Sequence, residues 1–346
     1  MNKLAVVGAG SWGTALAAHE AWNSGRDDAE EHFDVVLWAR DPRLAETLRT
    51  TRENEAYLPG VPLPERLEIT SDLDAIVDAD AFLIVVPSHG FREVVRSLLA
   101  RIPPSNEPVT LVSAAKGIET DTLARMSQVT FEEAVAADRE VRFAVLAGPS
   151  FAAELARGTP TVAVVASEDS ELAKELRHAL ASPTFRLYST TDVVGVELGG
   201  TTKNVIAIAA GVIAGLELGH NTLAALLTRG LHEITRLGVA CGGQSRTLAG
   251  LAGMGDLVLT CTGPLSRNRQ LGVRLAEGDT LQEISGSTPM VAEGVRNSLA
   301  VARLAEKRGV EMPITEQMVQ VLYHDKDSRQ VIEDLMTREL RSEAEL

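Results

Sequence analysis

A short apolar segment followed by three regularly spaced glycines constrains the fold of this chain more than any other feature. Residues 4–7 are Leu-Ala-Val-Val, Gly8, Gly10 and Gly13 follow, and residues 14–18 have a helical pattern. A strand, a glycine-rich turn and a helix in this order form the context that a dinucleotide-binding sequence requires. The first glycine permits the tight turn, the second lets the backbone approach a pyrophosphate, and the third allows close packing of helix on strand. The sequence therefore predicts dinucleotide binding, against the alternative of a turn that binds nothing.

Strand and helix patterns alternate through the first half of the chain, and helical patterns dominate after residue 189. The continuous apolar run at residues 81–86 is typical of a strand in a parallel sheet covered on both faces. We predict an α/β fold, with an N-terminal doubly wound Rossmann-like sheet in residues 1–190 and an all-α C-terminal domain in residues 191–346. Helices are expected at residues 91–101 and 120–137, and further strands at residues 35–38, 66–70, 109–113, 142–146, 161–166 and 185–189.

The end of the second predicted strand bears on the choice of cofactor. Dinucleotide-binding folds that prefer NAD place an acidic residue there, whereas an arginine pairs with the 2′-phosphate of NADP. The chain has Arg40 and then Asp41 at this point, so NADPH/NADP is the preferred cofactor and NADH/NAD stays possible. The connection before this strand is lengthened by an acidic insertion at residues 27–31.

A long uncharged stretch dominates the second half. Residues 205–216 carry no charged side chain, so their helix should be buried on most of its circumference. The stretch is shorter than the ~20 apolar residues of a membrane span. Lys203 comes just before it, at the expected mouth of the helix. Its ammonium there either reaches water or is held where it can do chemistry.

Composition narrows the class of protein. The 346 residues are enough for two domains, and 33 basic against 48 acidic residues give a formal charge of −15, which argues against general nucleic-acid binding. Cys241 and Cys261 form no CxxC pair and are expected to be free thiols in a reducing cytosol. The seven histidines have no metal-ligand spacing, so no metal is expected. Without a signal peptide or membrane-spanning run, the protein is expected to be cytoplasmic.

Polar residues follow two predicted strands and recur in the second half. Lys116 lies just past the strand at residues 109–113, on the side where ligands bind in such sheets. Gly148 follows the strand at residues 142–146, and Pro149 and Ser150 are expected to open a helix whose backbone and hydroxyl could hold an anion or a substrate hydroxyl group. The polar cluster that could grip a phosphate in the second half is Ser266, Arg267, Asn268 and Arg269.

Together these motifs resemble the bacterial type of NAD(P)-dependent glycerol-3-phosphate dehydrogenase. The resemblance runs in order from about residue 3 to about residue 325. As a set, the motifs are far more specific than any one of them. They stand at residues 8–15, 54–60, 115–117, 148–151, 199–204, 255–257 and 266–269.

The resemblance implies a reaction. It is reversible hydride transfer between a nicotinamide and carbon 2 of dihydroxyacetone phosphate, which makes sn-glycerol 3-phosphate for phospholipid synthesis. The lysine that matches Lys203 is the general acid/base of the family, and Asp256 is expected to orient it. This fits the chemistry, since reduction of a ketone builds negative charge on its oxygen and an ammonium can stabilise that charge and donate the proton.

The resemblance also implies contacts, residue by residue, and by family analogy a homodimer. The substrate would contact Lys116, Gly148, Ser150, Lys203, Asn204, Asp256, Thr260, Ser266, Arg267 and Asn268. The cofactor would contact Gly8, Gly10, Ser11, Trp12, Gly13, Arg40, Lys116, Ala152, Arg267, Val291 and Glu293.

Two alternatives stay open. The first is another hydroxy-acid or sugar-phosphate dehydrogenase with a Rossmann domain before a helical one, since such relatives also carry a lysine–asparagine pair on their first long helix. Residues 148–150 and the cluster at residues 266–268 favour a small phosphorylated ketone over the substrates of those relatives. The second is a non-catalytic protein that senses NADPH.

Overall fold

The computed structural model describes residues 1–25, 32–104, 107–286, 293–340 and 342. The chain divides into two compact units. One comprises Met1–Lys116 and Ala124–Val193, and the other comprises Gly117–Leu123 and Val194–Leu346. The acidic insertion at residues 27–31 and the predicted cofactor contact Val291 lie outside the described residues.

The first unit is an α/β layer structure. Its helices are α1 (Ser11–Asn23), α2 (Pro42–Thr51), α3 (Ser88–Leu99), α4 (Met126–Ala136), α5 (Ala152–Ala156) and α6 (Ser170–Ala179). Its strands are β1 (Lys3–Val7), β2 (Asp34–Trp38), β3 (Glu53–Asn54), β4 (Leu58–Pro62), β5 (Glu68–Thr70), β6 (Ala81–Ile84), β7 (Val109–Ser113), β8 (Val141–Ala147), β9 (Thr161–Ala166) and β10 (Phe185–Thr190).

Eight of these strands form one sheet in the order β10-β9-β8-β7-β6-β1-β2-β5. The chain runs from β1 outward to β2 and β5 and then returns to β6 on the other side of β1, which is the switch point of a doubly wound fold. Leu4 and Val6 of β1 and Leu83 of β6 are completely buried, because helices cover both faces of the centre. The predicted Rossmann-like sheet is confirmed.

Three features of this unit differ from the sequence prediction. Strand β9 runs antiparallel to β8, because the connection holds only the short α5, which packs against α1, and the chain returns along β8. Strands β3 and β4 form a separate antiparallel hairpin that was not predicted. Helix α4 begins at Met126 and not at residue 120, since Gly117–Leu123 belongs to the second unit and Leu123 has a left-handed φ of 61°.

The described part of the second unit is built from helices, as predicted. A π-helical turn at Leu251–Gly255 leads directly into α10. The helices are α7 (Val193–Gly215), α8 (Gly219–Ala240), α9 (Ser245–Leu248), α10 (Asp256–Thr262), α11 (Arg267–Glu277), α12 (Leu281–Gly286), α13 (Glu293–Arg308), α14 (Pro313–Tyr323) and α15 (Ser328–Met336).

Helix α7 is the core of this unit, and every residue from 195 to 213 is buried. It begins ten residues before Lys203, so the prediction that Lys203 lies at the helix mouth is wrong. Residues 205–215 are part of this 23-residue helix, which by length and composition alone is long and apolar enough to cross a membrane. However, 89% of its apolar window is buried inside the protein, as in the core helix of a soluble protein.

Glycines let α11 approach α7 closely. A Cβ on Gly211 would lie 2.0 Å from the carbonyl oxygen of Arg269, and one on Gly272 would lie 2.0 Å from that of Ile208. Both distances are far below van der Waals contact. The two backbones therefore touch, and this contact places the start of α11 beside α7.

Candidate functional site

The glycine-rich turn lies at the carboxyl end of β1 and leads into α1. Gly8 has a φ of +124°, and a Cβ there would lie 2.5 Å from the carbonyl oxygen of Val85. A Cβ on Gly13 would lie 1.9 Å from the carbonyl oxygen of Gly8. Only glycine fits either position. A Cβ on Gly10, by contrast, would meet nothing within 4 Å, so the backbone at Gly10 faces open space.

The residues around this turn fit a dinucleotide phosphate. Helix α1 begins at Ser11, and its N-cap Gly10 offers no side chain to the first N–H groups of the helix. Such N–H groups, with the positive end of the helix dipole, bind phosphate oxygens. The indole N–H of Trp12 is buried and has no hydrogen-bond partner among the described residues, so it is a further donor whose acceptor is not supplied by those residues.

The two charged residues after β2, Arg40 and Asp41, differ in their surroundings. Asp41 is the N-cap of α2, and its carboxylate accepts a hydrogen bond of 2.9 Å from the backbone N–H of Arg43. Arg40 is exposed. The Asp41 carboxylate, which could otherwise bind the ribose hydroxyls of NAD, is therefore engaged in capping. The exposed Arg40 guanidinium suits the 2′-phosphate of NADP.

Lys116 and Ser150 converge on one carbonyl group. The Lys116 ammonium donates to the carbonyl oxygen of Gly148 over 3.3 Å, and the Ser150 hydroxyl donates to the same oxygen over 3.1 Å. Gly148 has a φ of +144°, and a Cβ there would lie 2.9 Å from the Cα of Ala163. The helix after this turn starts at Ala152 with Phe151 as its N-cap, so Pro149 and Ser150 lie before the helix and do not open it as predicted.

In the second unit Lys203 is buried, with only 5% of its surface exposed. Its ammonium donates to Oδ1 of Asp256 over 2.5 Å and to the hydroxyl oxygen of Thr260 over 2.7 Å. The Thr260 hydroxyl donates to the backbone carbonyl oxygen of Asp256 over 2.6 Å. The alternative in which Lys203 reaches water is therefore excluded.

The local fold explains why these three side chains meet. Asp256 and Thr260 are four residues apart on α10, so they share one face of the helix. The preceding π-helical turn is a type often found at functional sites. A Cβ on Gly199 of α7 would lie 2.7 Å from the carbonyl oxygen of Ala252, so this turn lies directly on α7.

A buried ion pair of this kind is unfavourable for stability unless its partners compensate for lost hydration. Buried charged groups with specific partners therefore often mark functional sites. Cys261, next to Thr260, is buried, and burial raises the pKa of its thiol to about 12, which disfavours the reactive thiolate.

A second polar network joins three helices of the same unit. The side-chain amide of Asn268 donates to Oδ1 of Asn204 over 3.0 Å, and its own oxygen accepts from the backbone N–H of Gly294 over 3.0 Å. A Cβ on Gly294 would lie 2.7 Å from that oxygen. The network fixes the start of α13, where the predicted cofactor contact Glu293 is the first residue.

The other predicted phosphate ligands lie at the start of α11. Ser266 is the N-cap, and its hydroxyl accepts a hydrogen bond of 3.2 Å from the backbone N–H of Arg269. Arg267 is the first residue of the helix and is exposed. Ser266, Arg267 and Asn268 are thus brought together, but Ser266 and Asn268 also hold the local structure.

Two further points concern the candidate chemistry. Among the residues that the structure describes, no group of three or more His, Cys, Asp or Glu side chains could hold a metal ion. Sequence reasoning assigned no role to Asn54, whose buried side chain contacts the glycine-rich turn. Its only signal in the sequence was its place in the motif at residues 54–60.

Comparisons with known proteins agree with these observations. Family models for the N-terminal and C-terminal parts of NAD-dependent glycerol-3-phosphate dehydrogenase match residues 3–173 and 192–333. Over 344 residues the chain is 50% identical to the NAD(P)+ glycerol-3-phosphate dehydrogenase of Geobacter sulfurreducens, covering 99% of both chains. It is 50% identical over 342 residues to that of Nitratidesulfovibrio vulgaris strain Hildenborough, covering 99% of this chain and 100% of the relative.

Solved structures lead to the same family. The crystal structure of glycerol-3-phosphate dehydrogenase from Coxiella burnetii superposes with a TM-score of 0.90 at 38% identity, covering 97% of this chain and 99% of that one. The Saccharomyces cerevisiae enzyme gives a TM-score of 0.78 at 26% identity, with the same coverage of 97% and 99%. The family expected from the motifs is confirmed, and this chain belongs to the NAD(P)-dependent glycerol-3-phosphate dehydrogenases, which are oxidoreductases.

Proposed function

We propose that this chain catalyses the reversible NAD(P)H-dependent reduction of dihydroxyacetone phosphate to sn-glycerol 3-phosphate, with Lys203 as general acid/base. The observation that carries the proposal is the buried Lys203 ammonium held by Asp256 and Thr260, in a chain whose relatives are named for this activity. The product would supply glycerophospholipid biosynthesis.

The proposed chemistry divides between cofactor and protein. The nicotinamide cofactor, when bound, supplies the hydride for carbon 2 of the ketone. The protein has to stabilise the charge that develops on the ketone oxygen and to deliver a proton to it. A buried ammonium stabilises that charge strongly, because its own charge is poorly screened by solvent, and it carries a proton that it can donate. Asp256 and Thr260 accept hydrogen bonds from the Lys203 ammonium and so fix the direction of its side chain.

Binding of the two ligands is assigned to different residues. The pyrophosphate would lie on the turn from Gly8 to Gly13 with Ser11 and Trp12, and Arg40 would hold the 2′-phosphate. Ala152, Glu293 and Val291 stay proposed cofactor contacts.

The substrate phosphate is assigned to Arg267 with Ser266 and Asn268, and Asn204 keeps Asn268 in place. Lys116, Gly148 and Ser150 are proposed as further substrate contacts.

The first test follows NADPH absorbance with purified protein, with and without dihydroxyacetone phosphate, and then repeats the measurement with NADH. We expect substrate-dependent oxidation that is faster with NADPH, because Arg40 is exposed and Asp41 is engaged. A preference for NADH would contradict only the assignment of Arg40 to the 2′-phosphate and would leave the proposed reaction standing.

The second test replaces the proposed acid/base. Lys203→Met should lower kcat by about 100-fold or more, since general acid–base groups contribute about 10²–10⁴-fold, while the Kd for NADPH stays nearly unchanged. Lys174→Met is the matched control, because Lys174 is an exposed lysine paired with Glu171. Equal turnover in wild type and Lys203→Met would refute the assigned role.

The two alternatives predict other outcomes. A sensor of NADPH would bind the nucleotide without oxidising it in the presence of any ketone tested. A different dehydrogenase of this architecture would leave dihydroxyacetone phosphate unreduced but oxidise NADPH with another phosphorylated ketone or a 2-keto acid.

The proposed function also includes a cytoplasmic location and a homodimer. Light scattering tests the dimer, which should have about twice the 36.9 kDa mass of the chain.

A further inference from the structure

The side chain of Asn54 connects the β3–β4 hairpin to the glycine-rich turn. Its amide nitrogen donates to the carbonyl oxygen of Ala9 over 3.0 Å and to the hydroxyl oxygen of Thr14 over 2.7 Å. Ala9 lies inside the turn, and Thr14 lies in the first part of α1. Asn54 is 1% exposed and Thr14 is completely buried, so water does not compete for these hydrogen bonds.

The hairpin that carries Asn54 is itself firmly held. The backbone N–H of Gly60 donates to the carboxylate of Glu53 over 2.7 Å, and the N–H of Leu63 donates to the carbonyl oxygen of Arg52 over 2.7 Å. Leu58 of β4 packs in a small apolar cluster with Ala15 of α1. The amide of Asn54 therefore reaches the turn from a rigid support and not from a mobile loop.

The geometry of the peptide unit links this hydrogen bond to ligand binding. The described part of the chain contains no cis peptide bond. In a planar trans unit the carbonyl group of one residue and the N–H of the next point in opposite directions. Because Asn54 draws the Ala9 carbonyl inward, the N–H of Gly10 points away from the hairpin. Gly10 is also the glycine beside which a Cβ would meet nothing within 4 Å.

We propose that Asn54 is a positioning residue for cofactor binding, which fixes the Ala9–Gly10 peptide so that its N–H faces the cofactor pyrophosphate. The inference rests on the proposed function, since it requires that the turn binds a dinucleotide. Asn54 would touch no part of the cofactor.

The hydrogen bonds of Asn54 favour this role over simple packing. Its side-chain oxygen is buried and has no partner among the described residues. A buried acceptor without a donor lowers stability, and an apolar side chain would avoid that loss. What the asparagine adds is the nitrogen that donates to the turn.

The test compares two ligands that differ in the pyrophosphate. The Kd of NADPH is measured by fluorescence titration for wild type, Asn54→Ala and Asn54→Asp. The second ligand is adenosine 2′-phosphate, which lacks the pyrophosphate, or adenosine if wild type prefers NADH. We expect the Kd for the dinucleotide to rise about tenfold in both variants, as for loss of one good hydrogen bond. The Kd for the fragment should change less than about twofold, and kcat at saturating cofactor should be unchanged.

Two further variants control the comparison. Glu53→Gln changes the charge of the neighbouring residue, but its side-chain oxygen still accepts from Gly60, so both affinities should match wild type. Thr14→Val keeps the side-chain shape and removes one acceptor, so it should weaken dinucleotide binding less than Asn54→Ala does. It also serves if the Asn54 variants do not fold.

Two results would overturn the proposal. One is unchanged dinucleotide affinity in the variants, and the other is an equal loss for dinucleotide and fragment, which would mean that Asn54 only supports the fold. Failure of the proposed reaction would look different. Wild type would then bind NADPH without reducing dihydroxyacetone phosphate, and the comparison of affinities would still hold, because binding is measured directly.

Discussion

At the scale of single residues, two adjacent side chains of α1 are buried in uncharged form. Burial lowers the pKa of His19 to about 4, and its ring is hydrogen-bonded to the Ser182 hydroxyl over 3.0 Å. Burial raises the pKa of Glu20 well above its ordinary value of 4.5, and neither carboxyl oxygen has a partner among the described residues. The two groups affect stability in opposite directions, since His19 favours the folded state at higher pH and Glu20 favours it at lower pH.

Glu20→Gln should remove one of these pH dependences. In wild type, at pH values between 4.5 and the raised pKa of Glu20, the folded state keeps the Glu20 proton and the unfolded chain has lost it. Its contribution is therefore complete below pH 4.5 and is lost as pH rises toward the raised pKa. The free energy of unfolding of the variant, from urea denaturation, should exceed that of wild type by more at pH 8 than at pH 5. Glu65→Gln changes an exposed carboxylate and should show no such trend. A difference between Glu20→Gln and wild type that is the same at both pH values would contradict this account.

At the scale of secondary-structure elements, α14 obtains its N-terminal cap from another helix. Its own N-cap residue Met312 makes no side-chain capping hydrogen bond. Instead, the carboxylate of Glu233 on α8 accepts from the backbone N–H groups of Ile314 over 2.6 Å and Thr315 over 3.2 Å, and from the Thr315 hydroxyl over 3.0 Å. Burial nevertheless raises the pKa of Glu233 to about 7. Sequence reasoning missed this link because Glu233 and Ile314 are 81 residues apart.

Glu233→Ala should therefore weaken α14. It leaves buried N–H groups without acceptors, which should lower the free energy of unfolding by about 2–4 kcal/mol. Hydrogen exchange should accelerate more in α14 than in the other helices of the unit. Gln320→Ala, which removes an exposed side chain further along the same helix, should change stability by less than about 0.5 kcal/mol. Equal effects of the two substitutions would show that Glu233 is not the cap.

At the scale of the whole molecule, the two compact units are not two halves of the sequence. Gly117–Leu123 lies between β7 and α4 of the first unit but belongs to the second. Ile118 is buried at 2% exposure in a core cluster with Leu198 of α7 and Leu237 of α8. The predicted assignment of residues 1–190 to the cofactor and 191–346 to the substrate stays a prediction, because a division by contacts identifies no ligand.

Ile118→Ala should consequently destabilise the helical unit although it lies in the first half of the chain. Loss of a buried isoleucine typically costs about 2–5 kcal/mol. Hydrogen exchange followed by mass spectrometry should show faster exchange in α7 and α8. Ile102→Ala, at a buried position of the first unit, is the matched control and should leave these helices unaffected. If both variants accelerate exchange in α8 equally, the assignment of Gly117–Leu123 is wrong.

The amino-acid sequence by itself determined the local features of this protein. The apolar segments of β1 and β6, the glycines of the first turn and the uncharged run of α7 predicted a doubly wound sheet followed by helices. These signals depend on residues close together in the chain, where periodicity and steric restriction act directly. Recognition of the family needed only the order of such motifs.

Tertiary structure alone decided which distant residues meet. The antiparallel direction of β9, the Asp256 and Thr260 contacts of Lys203 in the middle of α7, the hold of Asn54 on the first turn and the cap from Glu233 all join segments far apart in sequence. No local pattern encodes these pairings, because each depends on how whole elements pack and on the requirement that buried polar groups find partners.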